Sequence, residues 1–360
     1  MYFARRATNN SLQSIKMIKH TINAIDKLKN EGLIKDFSIS IKHRSKNISD
    51  FDSLDSKKQY HIFSAGKPMI AAVIWKLYDE KILDFNDPVC KYWPEFKKNN
   101  KDKILIKHIM THTSGISLTD SLRDHDYGDL NRIARWLENY TPESTPGEKI
   151  SYHEVTFGWI LGEIVQRITN KSFEEIFFEK VCIPLNLKKT YFKMKESKNE
   201  ELPTNIFKHE SCKISNIDKI FRALLINKIP LISGSCISNT QDLTRFYSAI
   251  INSKNWLSNK TKKLVTKIHV KGIDYNNRLL FSRLGLGIRF SGNNINERSV
   301  SSASNGFGHG GLLSCMAWTE PKSNLSIAIL NNLLLSHTLN VYRFNLLSHA
   351  IKEDLKRIFK

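Results

Sequence analysis

The sequence contains no long uninterrupted apolar run, although 41% of its 360 residues are hydrophobic. A membrane-spanning helix needs about 18 or more consecutive apolar residues, so we expect no transmembrane span. An export signal is also missing, because Arg5 and Arg6 are followed by neither an apolar core nor a small-residue cleavage pattern. These absences predict a cytoplasmic protein, large enough for one big domain or two interlocked ones.

Cysteine is scarce, and no C-x-x-C pair occurs. The five cysteines are Cys90, Cys182, Cys212, Cys236 and Cys315. Their spacing indicates neither a zinc site nor a disulfide framework, and we expect reduced, buried thiols. His108 and His112 have the i, i+4 spacing of zinc ligands but lack the glutamate of an H-E-x-x-H motif. We therefore expect no metal and no organic cofactor.

Acidic residues are few beside the basic ones, with 35 Asp and Glu against 55 Lys and Arg and a formal charge of +20. An excess of this size is compatible with nucleic-acid binding through counterion release. The lysines are nevertheless spread along the whole chain, and no recognised nucleic-acid motif accompanies them. We interpret the charge as a solvated surface and expect no nucleic-acid partner.

Strand patterns occur towards both ends of the chain, and helical periodicity dominates between about 65 and 260. The predicted strands cover residues 37–43, 284–290, 312–320 and 325–331, with a short extended stretch at 59–63. Ile15, Ile18, Ile22, Ile25 and Leu28 recur at helical spacing and predict an opening helix, and residues 342–358 predict a closing one. We expect a mixed α/β fold: an antiparallel sheet built from both chain ends, flanked by these helices, with an inserted helical lobe.

The predicted division is discontinuous. Residues 1–63 and 265–360 would form the α/β sheet domain, and residues 64–264 a mainly helical domain. A cleft between two such units is where ligands commonly bind, so we expect the active site there.

Residues 64–67, Ser-Ala-Gly-Lys, form the only S-x-x-K tetrad in the sequence. Positions i and i+3 share one face of a helix, so the Lys67 ammonium can lie beside the Ser64 hydroxyl. A serine at a helix N-terminus also presents backbone N–H groups to a developing oxyanion. By itself, the tetrad is equally compatible with a serine helix cap followed by an exposed lysine.

Further segments follow the tetrad in a characteristic order. They are residues 87–96, 111–115 (T-H-T-S-G), 146–154 (P-G-E-K-I-S-Y-H-E) and 308–312 (G-H-G-G-L). Together with the tetrad they resemble the serine β-lactamase-like and penicillin-binding-protein-like family, which includes class C β-lactamases, family VIII esterases and related acyltransferases. The resemblance covers roughly residues 50 to 335 and implies that fold, with His112 to Gly115 shaping a loop.

The resemblance implies a catalytic group of Ser64, Lys67 and Tyr152. Ser64 would be the nucleophile. Lys67 and Tyr152 would share the role of its base, because a lysine cation stabilises negative charge on a neighbouring phenol oxygen. The backbone N–H groups of Ser64 and Leu312 would form the oxyanion hole.

The segment at 308–312 resembles the family's K-T-G strand in an H-x-G variant. His309 would orient the acyl group or donate to Tyr152, or it is a turn histidine without a role. Gly310 and Gly311 make sense where a substrate carbonyl approaches an edge strand closely.

The sequence departs from the family pattern at Glu154, where an asparagine is usual. An ionised carboxylate can only accept hydrogen bonds, which puts β-lactam hydrolysis in doubt and favours the esterase-like branch. Glu154 could instead pair with Lys67. His153 is either an auxiliary proton carrier or a residue that fills the start of a helix.

We therefore expect an esterase-type serine hydrolase that forms an acyl-enzyme on an ester, thioester or amide. Acyl transfer in a biosynthetic pathway, or peptidase or β-lactamase activity, is the alternative. A hypothesis from a different functional class is that the protein is a catalytically inactive relative that binds a ligand. The expected partners are a small-molecule acyl substrate and, for acyl transfer, a carrier-bound group or an alcohol or amine acceptor.

Overall fold

A computed structural model describes residues 18–44, 46–52, 58–117, 130–192, 205–213, 232–276, 280–291, 306–312 and 314–358. The strands are β1 Phe37–His43, β2 Lys46–Asp52, β3 Tyr60–His61, β4 Phe207–Lys208, β5 Ile237–Ser238, β6 Val270–Asp274, β7 Leu280–Leu284, β8 Arg289–Phe290, β9 Phe307–Gly311, β10 Cys315–Glu320, β11 Leu325–Asn331 and β12 Leu333–Leu334. The helices are α1 Lys19–Asn30, α2 Lys67–Asp79, α3 Ile106–Met110, α4 Leu130–Asn139, α5 Thr156–Thr169, α6 Phe173–Phe177, α7 Ile183–Leu185, α8 Thr240–Asn252, α9 Asn259–Val265 and α10 His337–Ile358.

Eight strands form one antiparallel sheet in the order β2-β1-β11-β10-β9-β8-β7-β6. Strand β1 pairs with β11, so that Phe37 lies opposite Asn331 and His43 opposite Leu325. Strands from the two ends of the chain are therefore neighbours in one sheet. The predicted mixed α/β fold with a large antiparallel sheet is confirmed.

Strand β11 is buried along its whole length because both faces of the sheet are covered. Ile327 and Ile329 pack into a cluster with apolar residues of α1 and α10 on one face. Ala328 and Leu330 point the other way, into the larger cluster that contains α2. The period of two along the strand thus divides its side chains between two cores.

Helix α8 covers part of the second face through hydroxyl contacts. Ser38 Oγ lies 2.7 Å from Thr240 Oγ1, and Ser40 Oγ lies 3.2 Å from Thr244 Oγ1. These hydroxyls satisfy one another on the face of β1 that carries its serines. Although α8 falls within the range 64–264, it packs directly on the sheet.

Helix α2 runs through the larger core, and ten of its thirteen residues are buried. Its side towards the sheet touches the turn between β7 and β8, where Trp75 Nε1 donates to the Leu286 carbonyl at 2.9 Å. Gly287 has φ +83° there, and a Cβ added to it would lie 2.2 Å from Ala71 Cβ. A glycine is required at this turn both by its backbone conformation and by the close approach.

Two predicted strands were wrong in extent because each contains a turn. The segment 284–290 splits between the end of β7 and the separate short β8. The strand predicted at 312–320 begins only at Cys315, and Leu312 lies in the turn after β9. Strand β9 has the sequence Phe-Gly-His-Gly-Gly, which carries no apolar alternation by which it could be recognised.

The opening helix is observed as α1, with Ile25 and Leu28 buried in its core face; Ile15 lies outside the described residues. No helix in the described part of the chain is both long and apolar enough to cross a membrane.

Helix α1 is capped by a side chain from the opposite end of the chain. Asp354 Oδ1 accepts from the His20 N–H at 3.0 Å, and Oδ2 accepts from the Thr21 N–H at 2.8 Å and from Thr21 Oγ1 at 2.8 Å. The first N–H groups of a helix lack partners within the helix, and this buried carboxylate accepts hydrogen bonds from them. Its negative charge also interacts favourably with the positive end of the helix dipole.

We expect Asp354→Ala to lower the free energy of unfolding by about 2 kcal/mol, because it leaves buried donors of α1 unsatisfied. Urea denaturation followed by circular dichroism measures this. The neighbouring Glu353→Ala, which removes an exposed pair with Lys356, is the control and should leave the midpoint unchanged. Equal effects of the two substitutions would contradict the capping role.

Candidate active site

Ser64 lies in a tight turn, Phe63–Gly66, that leads directly into α2. Phe63 has φ +48°, a left-handed conformation that is unfavourable for a bulky residue. Hydrogen bonds on either side hold the turn, from the Ile62 N–H to the Cys236 carbonyl at 2.9 Å and from the Ala65 N–H to the Ile62 carbonyl at 3.0 Å. The strained turn presents the half-buried Ser64 at the start of the helix.

Lys67 is fully buried, and its ammonium joins the turn to the segment containing Tyr152. Its Nζ donates to Ser64 Oγ at 3.1 Å and to the main-chain carbonyl of Glu154 at 2.7 Å. The same Nζ lies 4.9 Å from the centroid of the Tyr152 ring. The structure thus brings Ser64, Lys67 and Tyr152 together around one cation.

The Tyr152 backbone is fixed by the β6 end of the sheet. Its N–H donates to Asp274 Oδ1 at 3.0 Å, and its carbonyl accepts from Asn276 Nδ2 at 2.8 Å. Asp274 also pairs with Arg289 at 3.0 Å, and the guanidinium carbon of Arg289 lies 5.3 Å from the Tyr152 ring centroid. Tyr152 is therefore held between two cations, Lys67 and Arg289.

The sequence analysis missed Asp274 and Arg289. They lie more than 120 residues after Tyr152, in segments with no motif that marks them. Burial raises the pKa of the Asp274 carboxyl, although the Arg289 cation acts against that rise. The signal available in the sequence was weak: one acidic residue in an otherwise apolar and basic strand.

His112 forms the other wall around Tyr152. It adopts φ +58°, and its ring meets the Tyr152 ring edge-on with centroids 4.8 Å apart. Its Nδ1 accepts from the His153 N–H at 3.2 Å, and its carbonyl accepts from the Ser151 N–H at 2.9 Å. The loop therefore shapes and supports the Tyr152 segment. Burial, followed by the nearby His153, lowers the pKa of His112 well below its ordinary value.

His153 faces away from the cation, into the loop at 112–115. Its Nδ1 lies 2.5 Å from the Ser151 carbonyl, and its Nε2 lies 2.5 Å from Ser114 Oγ. Because a carbonyl only accepts, Nδ1 carries the proton and Nε2 accepts from the Ser114 hydroxyl. Burial lowers the pKa of His153 to about 4. These contacts favour the alternative in which His153 fills the start of the helix.

Glu154 contacts Lys67, but not through its carboxylate as the sequence suggested. Its contact with Lys67 is made by the main-chain carbonyl, and its side chain is exposed. The pairing of the Glu154 carboxylate with Lys67 was therefore wrong, because the main-chain carbonyl makes this contact and the side chain stays exposed.

His309 lies on β9, buried, with its ring centroid 6.0 Å from that of Tyr152. The sequence suggested that β9 is an edge strand. This was wrong, since β9 lies between β10 and β8. Strand β8, however, pairs only with Phe307 and Gly308. The register between β8 and β9 ends at Gly308, and His309 to Gly311 continue β9 towards the turn that carries Ser64.

Gly311 has a structural reason of its own. A Cβ added there would lie 2.1 Å from the Ile62 carbonyl oxygen, so β9 presses directly on the turn that carries Ser64. Leu312 is the next residue in the chain, and Gly310, the residue before Gly311, is half-buried. The close approach at Gly311 is thus to the protein backbone, not to a substrate.

The alternative zinc pair has other partners. His108 Nδ1 accepts from the Leu105 N–H at 3.2 Å, and His112 Nδ1 is used by His153 as above. Among the residues described, no group of His, Cys, Asp or Glu side chains could hold a metal ion.

A model of the Beta-lactamase family matches residues 43–349 of this sequence. The chain belongs to the Beta-lactamase family. The family resemblance drawn from the motifs is therefore confirmed.

Two curated relatives of this Beta-lactamase family member are bacterial. It is 25% identical over 308 residues to the esterase/beta-lactamase LipL of Mycobacterium tuberculosis, covering 76% of this chain and 69% of LipL. It is 29% identical over 212 residues to Protein flp of Staphylococcus aureus strain N315, covering 54% of this chain and 41% of that protein. The chain thus spans less than half the length of flp.

A solved structure of a family VIII carboxylesterase superposes with a TM-score of 0.81 at 20% identity, covering 94% of this chain and 97% of the other. At that identity the likeness shows the shared fold, in agreement with the sheet order and helices above.

The buried neutral histidine of this Beta-lactamase family member makes stability depend on pH. Above its ordinary pKa of 6.5, His153 is neutral in both the folded and the unfolded chain. As the pH falls from 6.5 towards 4, only the unfolded chain takes up the proton. The unfolding free energy therefore falls over this window, by up to about 3 kcal/mol for His153.

We expect His153→Gln to give a shallower decline in unfolding free energy between pH 6.5 and 4 than the parent chain. Urea titrations at several pH values measure the slope. His349→Gln, on the exposed face of α10, is the control and should keep the parent slope. A His153→Gln chain with the parent slope would refute the buried neutral state.

Proposed function

We propose that this protein is a serine esterase that uses Ser64 as nucleophile and Lys67 with Tyr152 as the proton-transfer pair. The observation that carries the proposal is the buried Lys67 ammonium, bonded to Ser64 Oγ at 3.1 Å beside the Tyr152 ring at 4.9 Å. A buried cation in contact with a half-exposed hydroxyl is an arrangement that suits nucleophile activation.

In the proposed reaction, Ser64 Oγ attacks the ester carbonyl carbon while its proton passes to the Tyr152 oxygen, which acts as a phenolate paired with the charged Lys67. Lys67 and Arg289 lie against the Tyr152 ring and would stabilise the phenolate form that takes up this proton. The pair then returns the proton to the leaving alcohol, which departs as the carbonyl reforms. Water attacks the acyl-enzyme in the second half-reaction, with the same pair as base.

The backbone N–H groups of Ser64 and Leu312 would bind the oxyanion. Support comes from the contact of Gly311 with the Ile62 carbonyl, which sets the end of β9 beside the Ser64 turn. Each such donor contributes on the order of 3 kcal/mol in the transition state. His309, Gly310 and Gly311, at the end of β9 beside the Ser64 turn, would line the acyl group.

Ester chemistry is among the activities for which relatives and structural neighbours are named. LipL is named an esterase/beta-lactamase, and a structural neighbour is a carboxylesterase. Glu154 stands where an amide side chain would donate to a β-lactam amide, and a carboxylate lacks that donor. An ester substrate has no amide group that would need such a donor.

We expect Ser64→Ala to lower turnover of p-nitrophenyl acetate by about 10³-fold or more and to abolish labelling by a fluorophosphonate probe. Lys67→Met and Tyr152→Phe should each lower kcat by about 10²-fold or more, since each removes part of the proton path. Tyr342→Phe, whose hydroxyl contacts Glu31 on the surface, and Ser323→Ala are the matched controls.

Labelling that survives in Ser64→Ala would identify another nucleophile and contradict the assignment. A parent protein that neither labels nor hydrolyses esters would be a ligand-binding relative. Product analysis with added alcohol separates the two acyl-enzyme fates: the free acid indicates hydrolysis, and the new ester indicates acyl transfer.

The reading of Glu154 has its own test. We expect Glu154→Asn to speed acylation by the β-lactam nitrocefin by about tenfold. The asparagine amide restores a hydrogen-bond donor, and about tenfold corresponds to the free energy of one hydrogen bond. Turnover of p-nitrophenyl acetate should change little. Glu154→Gln, which carries the same donor on a longer side chain, is the control for geometry. Unchanged acylation in Glu154→Asn would show that this position does not set the preference.

A further inference from the structure

The β6–β7 hairpin carries an exposed apolar face. Ile273, Tyr275 and Phe281 are 42%, 59% and 40% exposed. Ile273 lies directly opposite Phe281 in the strand register, and Tyr275 lies two residues further along on the same face. Exposed large apolar side chains that are contiguous mark interaction sites more often than isolated ones.

Basic side chains border this apolar face. Lys271 is exposed and precedes Ile273 by two residues on the same face, with Arg283 opposite it in the register. Lys149 Nζ lies 5.8 Å from the Tyr275 ring centroid. One exposed carboxylate, Glu148, is adjacent to Lys149 in the chain, so cations predominate along the border.

We propose that this face of the hairpin, residues 271, 273, 275, 281 and 283, docks on an anionic lipid bilayer. Apolar and aromatic side chains of this kind insert at the boundary between headgroups and acyl chains, while lysines contact the lipid phosphates. The formal charge of +20 over the whole chain adds long-range attraction to an anionic surface. A second copy of the chain is a poorer occupant, because two bordering sets of cations would repel each other.

The opposite face of the hairpin contacts the active site. Asp274, between Ile273 and Tyr275, is fully buried and accepts from the Tyr152 N–H. The Tyr275 N–H donates to the Ile150 carbonyl at 2.9 Å. Docking would therefore hold the Tyr152 segment directly behind the lipid surface. The docking itself does not depend on the esterase chemistry proposed above.

Flotation of the full chain with vesicles tests this inference. We expect the parent to float with vesicles of equal phosphatidylglycerol and phosphatidylcholine, and about tenfold less with phosphatidylcholine alone. The triple variant Ile273→Ser, Tyr275→Ser, Phe281→Ser should bind the anionic vesicles about tenfold or more weakly. Its matched control is Ile82→Ser, Phe178→Ser, Ile183→Ser, which removes equally exposed apolar side chains elsewhere and should bind as the parent does.

A charge variant separates the electrostatic part. Lys149→Gln with Lys271→Gln should weaken binding to anionic vesicles about fivefold per lysine. The exposed pair Lys254→Gln with Lys322→Gln keeps the same net charge change at other sites and should have a smaller effect. Equal losses in the two pairs would show general attraction and overturn the assignment to the hairpin.

Failure of the parent to float, or equal losses in the two triple variants, would also overturn docking. So would a concentration-dependent dimer that the hairpin variant abolishes, in the absence of vesicle binding. Thermal unfolding confirms that each variant is folded. A parent protein that hydrolyses p-nitrophenyl acetate but does not float counts against docking alone, whereas a parent protein that floats without ester turnover counts against the proposed function alone.

Discussion

The active site depends on a lysine ammonium that has been taken out of water. Lys67 is fully buried, and burial of a charge is unfavourable unless polar partners replace the lost hydration. Two such partners come from different parts of the chain: Ser64 Oγ in the turn before α2, and the Glu154 carbonyl before α5. The cation therefore fixes the distance between the turn and the Tyr152 segment as well as contacting the hydroxyl.

The turn that carries Ser64 and the segment that carries Glu154 both bond to Lys67, and strained or buried elements hold them in place. Phe63 and His112 have positive φ values, and each lies beside a residue of the site. Such conformations cost of order 1–3 kcal/mol and persist only where surrounding structure determines them. Here that structure is the burial of α2 on one side and the Asp274 and Arg289 pair on the other. The sheet and the central helix thus hold in place the turn that carries Ser64 and the loop that carries Tyr152.

Much of the fold followed from local patterns, whereas the proposed catalytic group came from the family resemblance. The strands at 37–43 and 325–331 were predicted because alternation and apolar runs are local properties, and the S-x-x-K spacing places Lys67 beside Ser64 on geometric grounds. Asp274 and Arg289 could not be predicted, because their function arises from strand order in a sheet that local periodicity does not encode. Strand β9 was indicated only by the family resemblance, since its glycines give no strand pattern. The division at 64–264 stays a prediction, and α8 shows how helices within that range also cover the sheet.

The pairing of β1 with β11 has a consequence for biogenesis. Phe37 and Asn331 are partners separated by almost the whole polypeptide, and such distant contacts form slowly. During translation, the apolar side chains of β1 have no neighbouring strand on that side until residues 325–331 leave the ribosome. The nascent chain therefore exposes an aggregation-prone strand for most of its synthesis, which is the situation in which molecular chaperones are needed.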